Sequence, residues 1–448
     1  MSVLRNIQIG ASGLTAANAA LSATSHNVVN STTPGYQRRS VQQSTSIPTS
    51  VGVGMAGRGV SVTGFKRMGS DLVMQQQVAG EGDYARAMAT EGGLAPLEPL
   101  LDETQVSGPH SALTAFFDSL QQATQDPSDS SNRRVVTARA KNLGRAFRAT
   151  SEGFDRTLQG QETEMEGKVD RLNAISTKLA AVNRDIIAQD GPADLLDERD
   201  RILKEAGSII GATADLEPDG TANLLVQGHA IVSGANARTV SLTDDMQVAI
   251  DAGKGSVVVD ADGELGGLVD AWQITTDLRE TLSQTAQAFA DAMNAAHAGG
   301  FDRNGAAGGD LFTYDAADPA GTLRFSETID ADPDLLAFAS DATALAGDGG
   351  NLPALSAVED AGLVGGKSAA EALSGLTREV ATHVATARAD ADTAGMVLDD
   401  LDQLQANLAG VDLDEEAANL MMFQTAYQAS AKVVQVNDQL LNTLMEMV

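Results

Sequence analysis

Residues 413–441 read LDEEAANLMMFQTAYQASAKVVQVNDQLL and contain the most regular apolar repeat of the chain. Apolar or aromatic side chains recur there every seven residues, at Leu413, Leu420, Tyr427, Val434 and Leu441. A seven-residue apolar repeat predicts an α-helix with a narrow seam that packs against another helix. Val433 and Leu440 widen this stripe.

The other end of the chain has the same kind of pattern. Within residues 1–30 the apolar row is Ile7, Leu14, Leu21 and Val28, and the cluster STTPG at 31–35 then predicts the end of the helix. An isolated helix with such a row has nothing to bury it against. Two interpretations stay open: each row packs within its own monomer, or the two ends pair with each other and with neighbouring copies.

The net charge of the chain is large, and the charged residues are unevenly distributed along it. The chain of 448 residues has 30 Lys+Arg against 61 Asp+Glu, a formal net charge of −31, which argues against nucleic acid or an anionic membrane as a partner. Residues 1–70 contain six bases and no acid, whereas residues 389–448 contain eleven acids and one base. This asymmetry favours pairing of the two ends or head-to-tail contact between copies, although two solvated faces would look the same.

The middle of the chain is predicted to be mainly helical with one β insertion. Residues 37–65 are predicted to be extended, and closely spaced turn signals between short Val- and Leu-rich runs predict β-hairpins over 213–267. Residues 300–366 are expected to form loops and short strands. Helices are predicted over about 70–103, 111–124, 131–150, 152–189, 268–299 and from 368 to the C-terminus, with a break near Gly410.

The predicted fold class is therefore mainly α with an inserted β domain, with long heptad helices forming a shaft. Three domains are expected. Residues 1–36 with 405–448 form a discontinuous terminal coiled coil, residues 37–212 with 268–404 form the helical shaft, and residues 213–267 form a small outer β domain.

The chemistry of an enzyme is missing from the sequence. There is no cysteine, the five histidines are scattered, and neither HExxH nor GxSxG occurs, so no catalytic residue, metal site or cofactor is predicted. Asp302, Asn304 and Asp310 lie in a Gly-rich turn that offers the weaker hypothesis of a secreted acidic calcium-binding protein. No membrane span and no cleaved signal peptide are predicted either.

Two terminal segments carry a family resemblance. Residues 25–30 (SHNVVN) and 33–36 (TPGY), together with 410–420 (GVDLDEEAANL) and 423–433 (FQTAYQASAKV), closely resemble the terminal motifs of bacterial flagellar rod, hook and hook-associated proteins. Residues 195–203 (LLDERDRIL) and 300–305 (GFDRNG) are similar to segments of the hook–filament junction members. Another axial subunit (rod, hook or flagellin) is the alternative within this group.

The resemblance implies a structural adaptor that joins hook to filament outside the cell. It implies export by the flagellar type III system and assembly into a ring through the terminal helices. The implied partners are further copies of the chain, the hook protein, a second hook-associated junction protein and an export chaperone.

The implied site residues lie at the two ends of the chain. The N-terminal assembly interface comprises Ile7, Leu14, Leu21, Asn27, Val28, Asn30, Pro34, Gly35 and Tyr36. The C-terminal surface for assembly and chaperone binding comprises Leu413, Leu420, Phe423, Tyr427, Val434 and Leu441.

Overall fold

The computed structural model describes residues 2–50, 55–102, 108–189, 191–253, 255–343 and 347–446. It is mainly helical with small antiparallel sheets, which confirms the predicted fold class. The helices are α1 (Ser2–Val29), α2 (Asp71–Leu94), α3 (Leu97–Leu101), α4 (Pro109–Gln125), α5 (Ser130–Gln189), α6 (Ala193–Ile210), α7 (Gly263–Ala298), α8 (Pro319–Thr322), α9 (Glu327–Ala331), α10 (Leu352–Ser356), α11 (Ala369–Ala409) and α12 (Leu413–Glu446).

The strands form two-, three- and four-stranded antiparallel sheets. The first part of the chain contributes β1 (Arg39–Thr45), β2 (Thr49–Ser50), β3 (Met55–Ala56) and β4 (Val60–Arg67), with β1 paired to β4. The middle contributes β5 (Thr213–Leu216), β6 (Ala222–Val226), β7 (His229–Ser233), β8 (Asn236–Ala237), β9 (Val240–Leu242), β10 (Val248–Asp251) and β11 (Ser256–Val258), and then β12 (Phe312–Thr313) and β13 (Arg324–Phe325).

The last two helices begin and end where the sequence signals place them. The Ser368 side chain accepts a hydrogen bond from the backbone N–H of Glu371, whose carboxylate accepts one from the Ser368 N–H, so a capping box starts α11. The helix ends at Gly410, as predicted. Asp412 then accepts backbone N–H bonds from Asp414 and Glu415 at the start of α12.

Two helix predictions need correction. The segments 131–150 and 152–189 are one continuous helix of 60 residues, α5, because nothing between them stops a helix and Gly153 packs directly under Leu100 of α3. The helix predicted from Leu268 begins earlier, at Gly263. A Cβ on Gly267 would lie 2.2 Å from the Arg86 carbonyl oxygen, so this glycine allows α7 to approach the α2 backbone.

Two hydrophobic cores stabilise the body of the molecule. One gathers aromatic side chains of α4, α5, α7 and the 311–338 segment, with Phe116, Phe289 and Phe312 in edge-to-face contact. The other joins the C-terminal half of α5 to α2, α6, the start of α7 and strands of the β insertion. Neither core includes a described residue of α1 or α12, so the terminal helices form a separate unit.

The predicted heptad row of α5 lies in the second core. Met165, Leu172, Leu179 and Ile186 are buried, and Leu158 is half-buried. On the neighbouring helix face, the Asn183 amide donates to the carbonyls of Ala222 and Gly234 and accepts the Ala222 N–H. The β strands at 213–258 therefore fold directly on the helix and share its core.

Residues 300–366 form more helix than predicted. Besides β12 and β13, the segment contains α8, α9 and α10, and Phe312, Phe338 and Leu352 are buried in the first core. Asp302 of the candidate calcium loop is buried, and its Oδ1 accepts the backbone N–H groups of Asn304 and Ala306. Among the described residues, no group of three His, Asp or Glu is placed to hold a metal ion.

Acid is expected to destabilise the first core through His297, the last buried residue of α7. Its Nδ1–H donates to the Gly309 carbonyl at 2.6 Å, and its Nε2 accepts the Ala337 N–H at 2.8 Å, so the ring must be neutral. Burial lowers the pKa of His297 below the usual 6.5. The unfolded chain therefore binds a proton that the folded chain excludes, and stability falls as the pH drops below about 6.5.

Urea unfolding at pH 7 and pH 5 measures this effect. One proton limits the slope to about 1.4 kcal/mol per pH unit. His297→Gln is expected to flatten the pH dependence, whereas His229→Gln, at an exposed strand position, is expected to leave it as it is. Equal slopes for all three proteins would contradict the prediction.

Candidate assembly site at the paired termini

Helices α1 and α12 pack antiparallel along their length. Gly10 faces Val434, Gly13 faces Ser430, and Asn27 near the end of α1 contacts Glu416 near the start of α12. The two ends of the chain thus pair with each other within one copy, and the contact with neighbouring copies stays a prediction.

The seam of α1 consists of small side chains. Gly10, Ala17 and Thr24 alternate with Gly13, Ala20 and Asn27 at three- and four-residue spacings, and all but the half-buried Gly13 are buried. A Cβ on Gly10 would come within 2.7 Å of Val434 Cγ2, so only glycine allows this approach. The helices are therefore close-packed where the sequence offers no large residue.

The predicted apolar row of α1 flanks this seam. Ile7, Leu14, Leu21 and Val28 are all half-buried, one helical position away from the buried row. The sequence pattern thus placed the seam one residue too late along α1. Large apolar side chains dominate a hydrophobicity pattern, whereas alanine and glycine contribute little to it. Whether the flanking row serves assembly stays a prediction.

Helix α12 carries two apolar seams. The inner seam faces α1 and repeats every three or four residues: Glu416, Leu420, Phe423, Tyr427, Ser430, Val434, Asn437 and Leu441. Most of it is buried or half-buried, including Leu420, Phe423, Val434 and Leu441 of the predicted set. Tyr427 and the preceding Leu413 are exposed instead.

The outer seam lies about 100° around the helix, one residue earlier in each repeat. It comprises Met422, Ala426, Ala429, Val433, Val436, Leu440 and Thr443, all of them exposed. The residues predicted to widen the inner stripe, Val433 and Leu440, therefore belong to a second face that α1 does not cover.

Asn27 organises the base of the helix pair. Its Nδ2 donates to the Arg39 carbonyl at 2.9 Å and to Glu416 Oε1 at 3.2 Å. Its Oδ1 accepts the Tyr36 hydroxyl at 2.7 Å and the Arg39 N–H at 2.9 Å. Burial raises the pKa of Tyr36 to about 12, so this phenol stays protonated and donates. Asn27 thus joins α1, β1 and α12 in one buried contact.

The turn residues predicted to end α1 hold the chain in reach of Asn27. Asn30 Nδ2 donates back to the His26 carbonyl at 2.9 Å, and Gly35 adopts φ +78°, which favours glycine. Pro34 and Gly35 themselves are exposed. Pro34 and Gly35 therefore position Tyr36 but are not themselves buried by α1 or α12.

Charge adds to the pairing of the two ends. Arg38 Nε lies 2.6 Å from Glu416 Oε1, and its Nη2 lies 2.7 Å from Glu415 Oε1. The hydrogen bond to Glu415 raises the pKa of Arg38. The basic N-terminal and acidic C-terminal segments therefore meet in at least these two ion pairs.

An arginine–aspartate cluster connects the β1–β4 hairpin to α6. Arg39 and Arg67 lie opposite each other across the two strands. Asp197 lies between them, 3.0 Å from Arg39 Nη2 and 2.9 Å from Arg67 Nε, and Asp200 Oδ2 lies 2.5 Å from Arg67 Nη2. Burial raises the pKa of Asp197 although both arginines oppose the shift. Asp194, at the rim, is the third carboxylate.

Only a partial signal for this cluster is present in the sequence. Asp194, Asp197 and Asp200 are spaced by three residues and so share one face of α6. On a sequence, this pattern is indistinguishable from a solvated acidic face, and the 195–203 segment stood out only by family resemblance.

Comparisons with known proteins agree with this architecture. A family model described as the flagellar hook-associated protein FlgK helical domain matches residues 94–312, and one for the C-terminal part of flagellar basal body rod FlgEFG proteins matches 406–447. Flagellar hook-associated protein 1 of Escherichia coli K12 is 26% identical, with 97% of this chain and 98% of that protein covered. The protein of the same name from Bacillus subtilis 168 is 27% identical, with 98% and 97% covered.

The family model, the two relatives covered nearly end to end and the fold all indicate flagellar hook-associated protein 1. The structure of the flagellar hook junction protein FlgK from Burkholderia pseudomallei shares the fold, with a TM-score of 0.67 at 13% identity over 75% of this chain and all of that one. The similarity of the chain to proteins named hook-associated protein 1 supports a structural role in the flagellum and not the role of an enzyme. No described helix is long and apolar enough to cross a membrane.

Proposed function

We propose that this chain joins hook to filament as a ring of copies held together through the terminal helices. The outer seam of α12 carries the proposal. A helix with two apolar seams needs two partners, and α1 covers only the inner one. From Met422 to Leu440 the outer seam runs for about 27 Å, which is long enough for a helix of a neighbouring copy.

The exposed seam stands out on an acidic, well-packed protein. Met422 is 56% exposed and Leu440 51%, and contiguous exposed apolar surface of this kind marks protein interaction sites. The predicted assembly residues Leu413 and Tyr427 are exposed on the same helix. The half-buried row of α1, from Ile7 to Val28, supplies further apolar surface at the edge of the pair.

The separation of the terminal pair from both cores supports the terminal unit of the three-domain division and the export route that we propose. The terminal unit is residues 1–36 with 405–448, the shaft is 37–212 with 268–404, and the β domain is 213–267. Because the shaft closes its cores without α1 and α12, the termini can stay unpaired during type III export. An export chaperone would then cover the apolar residues of α12.

The proposed partners follow from a junction between two tubes. One end of the ring contacts the hook protein and the other a second hook-associated junction protein, outside the cell. The protein from Burkholderia pseudomallei, titled a hook junction protein, supports this assignment by its fold.

Deletion of the gene tests the function. We expect hooks to form, filaments to be missing by electron microscopy, and monomeric flagellin to accumulate in the medium. Missing hooks would instead assign the chain to the rod or hook. Normal filaments and normal swimming would contradict a junction role.

Complementation of the deletion strain tests the outer seam. Met422→Asp places a carboxylate in the seam and is expected to abolish filament formation while the purified protein keeps its helix content. Gln424→Asp makes the same change in charge on the opposite side of α12 and is expected to restore filaments. Equal complementation by both variants would show that the outer seam is not an assembly surface.

A further inference from the structure

We propose that the β1–β4 hairpin of one copy docks on an apolar patch of α2 and α11 in the next copy around the ring. The inference rests on the proposed function, because it names a second contact between the same neighbours. The patch comprises Leu72 on α2 with Val397, Leu404 and Leu408 on α11. These four side chains are between 44% and 64% exposed.

The patch consists of one row on α11 and of Leu72, which lies at the same level on α2. Val397, Leu404 and Leu408 are spaced by seven and four residues, so they form one row on α11. The helices run antiparallel, since Gln77 of α2 donates to Asp402 and Gly80 faces Leu398 and Leu401. Leu72, about one turn before Gln77, therefore lies beside the last turns of α11.

The hairpin has the complementary character. Ile47 is 85% exposed and Phe65 54%. Residues 40–70 contain no carboxylate, and Arg58 and Lys66 are exposed without an ion pair to any residue that the structure describes. The hairpin is thus an apolar and basic arm.

An acid lies beside the apolar row on α11. Asp400 lies about 60° around α11 from the middle of the apolar row, is exposed, and forms no ion pair within the described part of the chain. An apolar row beside a carboxylate on one copy thus matches an apolar arm that carries cations and no carboxylate on the other. Charge complementarity of this kind favours the hairpin over the mainly acidic α12 as the occupant.

The two surfaces also lie at the same height on the molecule. Met68 donates its N–H to the Arg38 carbonyl at 2.8 Å, and Arg38 donates its N–H to the Ala409 carbonyl at 2.9 Å. The base of the hairpin and the end of α11 are therefore adjacent to one residue, Arg38. Copies related by rotation about the long axis bring different surfaces of equal height together, as a ring requires.

Disulfide cross-linking in assembled flagella tests the contact, because the native chain has no cysteine. Cells producing a mixture of Phe65→Cys and Leu404→Cys chains are oxidised, and purified hook–filament material is run on a non-reducing gel. We expect a dimer that neither variant gives alone. A mixture of Phe65→Cys with Ala406→Cys, an exposed position on the opposite side of α11 from Leu404, is expected to give at least fivefold less dimer.

Charge reversal provides the second measurement. Lys66→Glu is expected to lower the yield of the Phe65–Leu404 dimer about fivefold, the upper range for a surface ion pair, and Asp400→Lys in the partner chain to restore it. An unrestored yield would contradict the pairing of these two charges.

Failure of this contact is distinguishable from failure of the junction function. If the chain is present between hook and filament but no 65–404 dimer forms, the docking proposal is wrong and the junction role stands. If a chain carrying both cysteines closes the bond within one copy, the surfaces meet inside the monomer and the docking proposal is also wrong. If the chain is absent from flagella that grow normally, the proposed function fails.

Discussion

Replacing Asn27 with alanine is expected to open the base of the α1–α12 pair. The change removes four hydrogen bonds at once and leaves the N–H and carbonyl of Arg39 and the buried carboxylate of Glu416 without this partner. Each buried polar group left unpaired costs about 1–3 kcal/mol, and the sum here is about 3–5 kcal/mol because Arg38 still contacts Glu416. A complementing plasmid with this variant is expected to restore little or no motility.

Hydrogen exchange of the purified variant locates the effect. The terminal helices contribute nothing to either core of described residues, so protection should fall in 2–29 and 413–446 and persist in α5. Asn18→Ala is the matched control, since Asn18 is exposed on the same helix. Unchanged protection in α12 of the Asn27 variant would show that the polar contact does not hold the pair together.

Replacing Asp197 with alanine is expected to separate the hairpin from α6. Arg39 and Arg67 are paired across the strands, and Asp197 is the carboxylate between them. Its raised pKa indicates that burial of the cluster is itself unfavourable, so the intact cluster adds little stability. Removing Asp197 leaves the two guanidinium groups side by side. Because Arg39 keeps Asp194 and Arg67 keeps Asp200, the expected cost is about 3 kcal/mol, the lower end for a broken buried pair.

Urea unfolding together with hydrogen exchange of residues 39–67 measures this loss. Asp194→Ala is the control, because the Asp194 side chain is 73% exposed and contacts Arg39 only at the rim, so it should cost less than about 1 kcal/mol. A similar effect of both variants would contradict a buried role for Asp197.

The most regular features of the sequence predicted which segments are helices and which are strands. Heptad rows located α5 and α12, the serine and glycine at 368 and 410 bounded α11, and closely spaced turns located the β strands. The sequence did not predict that α5 is continuous, because glycine has a low helix propensity and Gly153 suggested a break. In the structure Gly153 stays helical, and its missing side chain allows Leu100 to pack against the α5 backbone.

The candidate site was predicted less completely, for two physical reasons. Glycine and alanine differ little in hydrophobicity from the polar residues around them, so a seam made of them gives a weak pattern. The larger Leu14 and Leu21 beside it were therefore predicted as the seam instead. Contacts between distant residues, such as Asn27 with Glu416 or Arg67 with Asp200, depend on tertiary packing that no local pattern encodes. Asn27 itself was found through its family motif, and its hydrogen bonds only through the structure.

The antiparallel pairing of α1 with α12 has a consequence for the timing of synthesis. The first helix to leave the ribosome has the last one as its partner. At about 5–20 residues per second, the interval between completion of residue 29 and the start of residue 413 is roughly 20–80 s. During that interval the nascent chain can complete most of the shaft, while the small-residue face of α1 has no partner in its own chain.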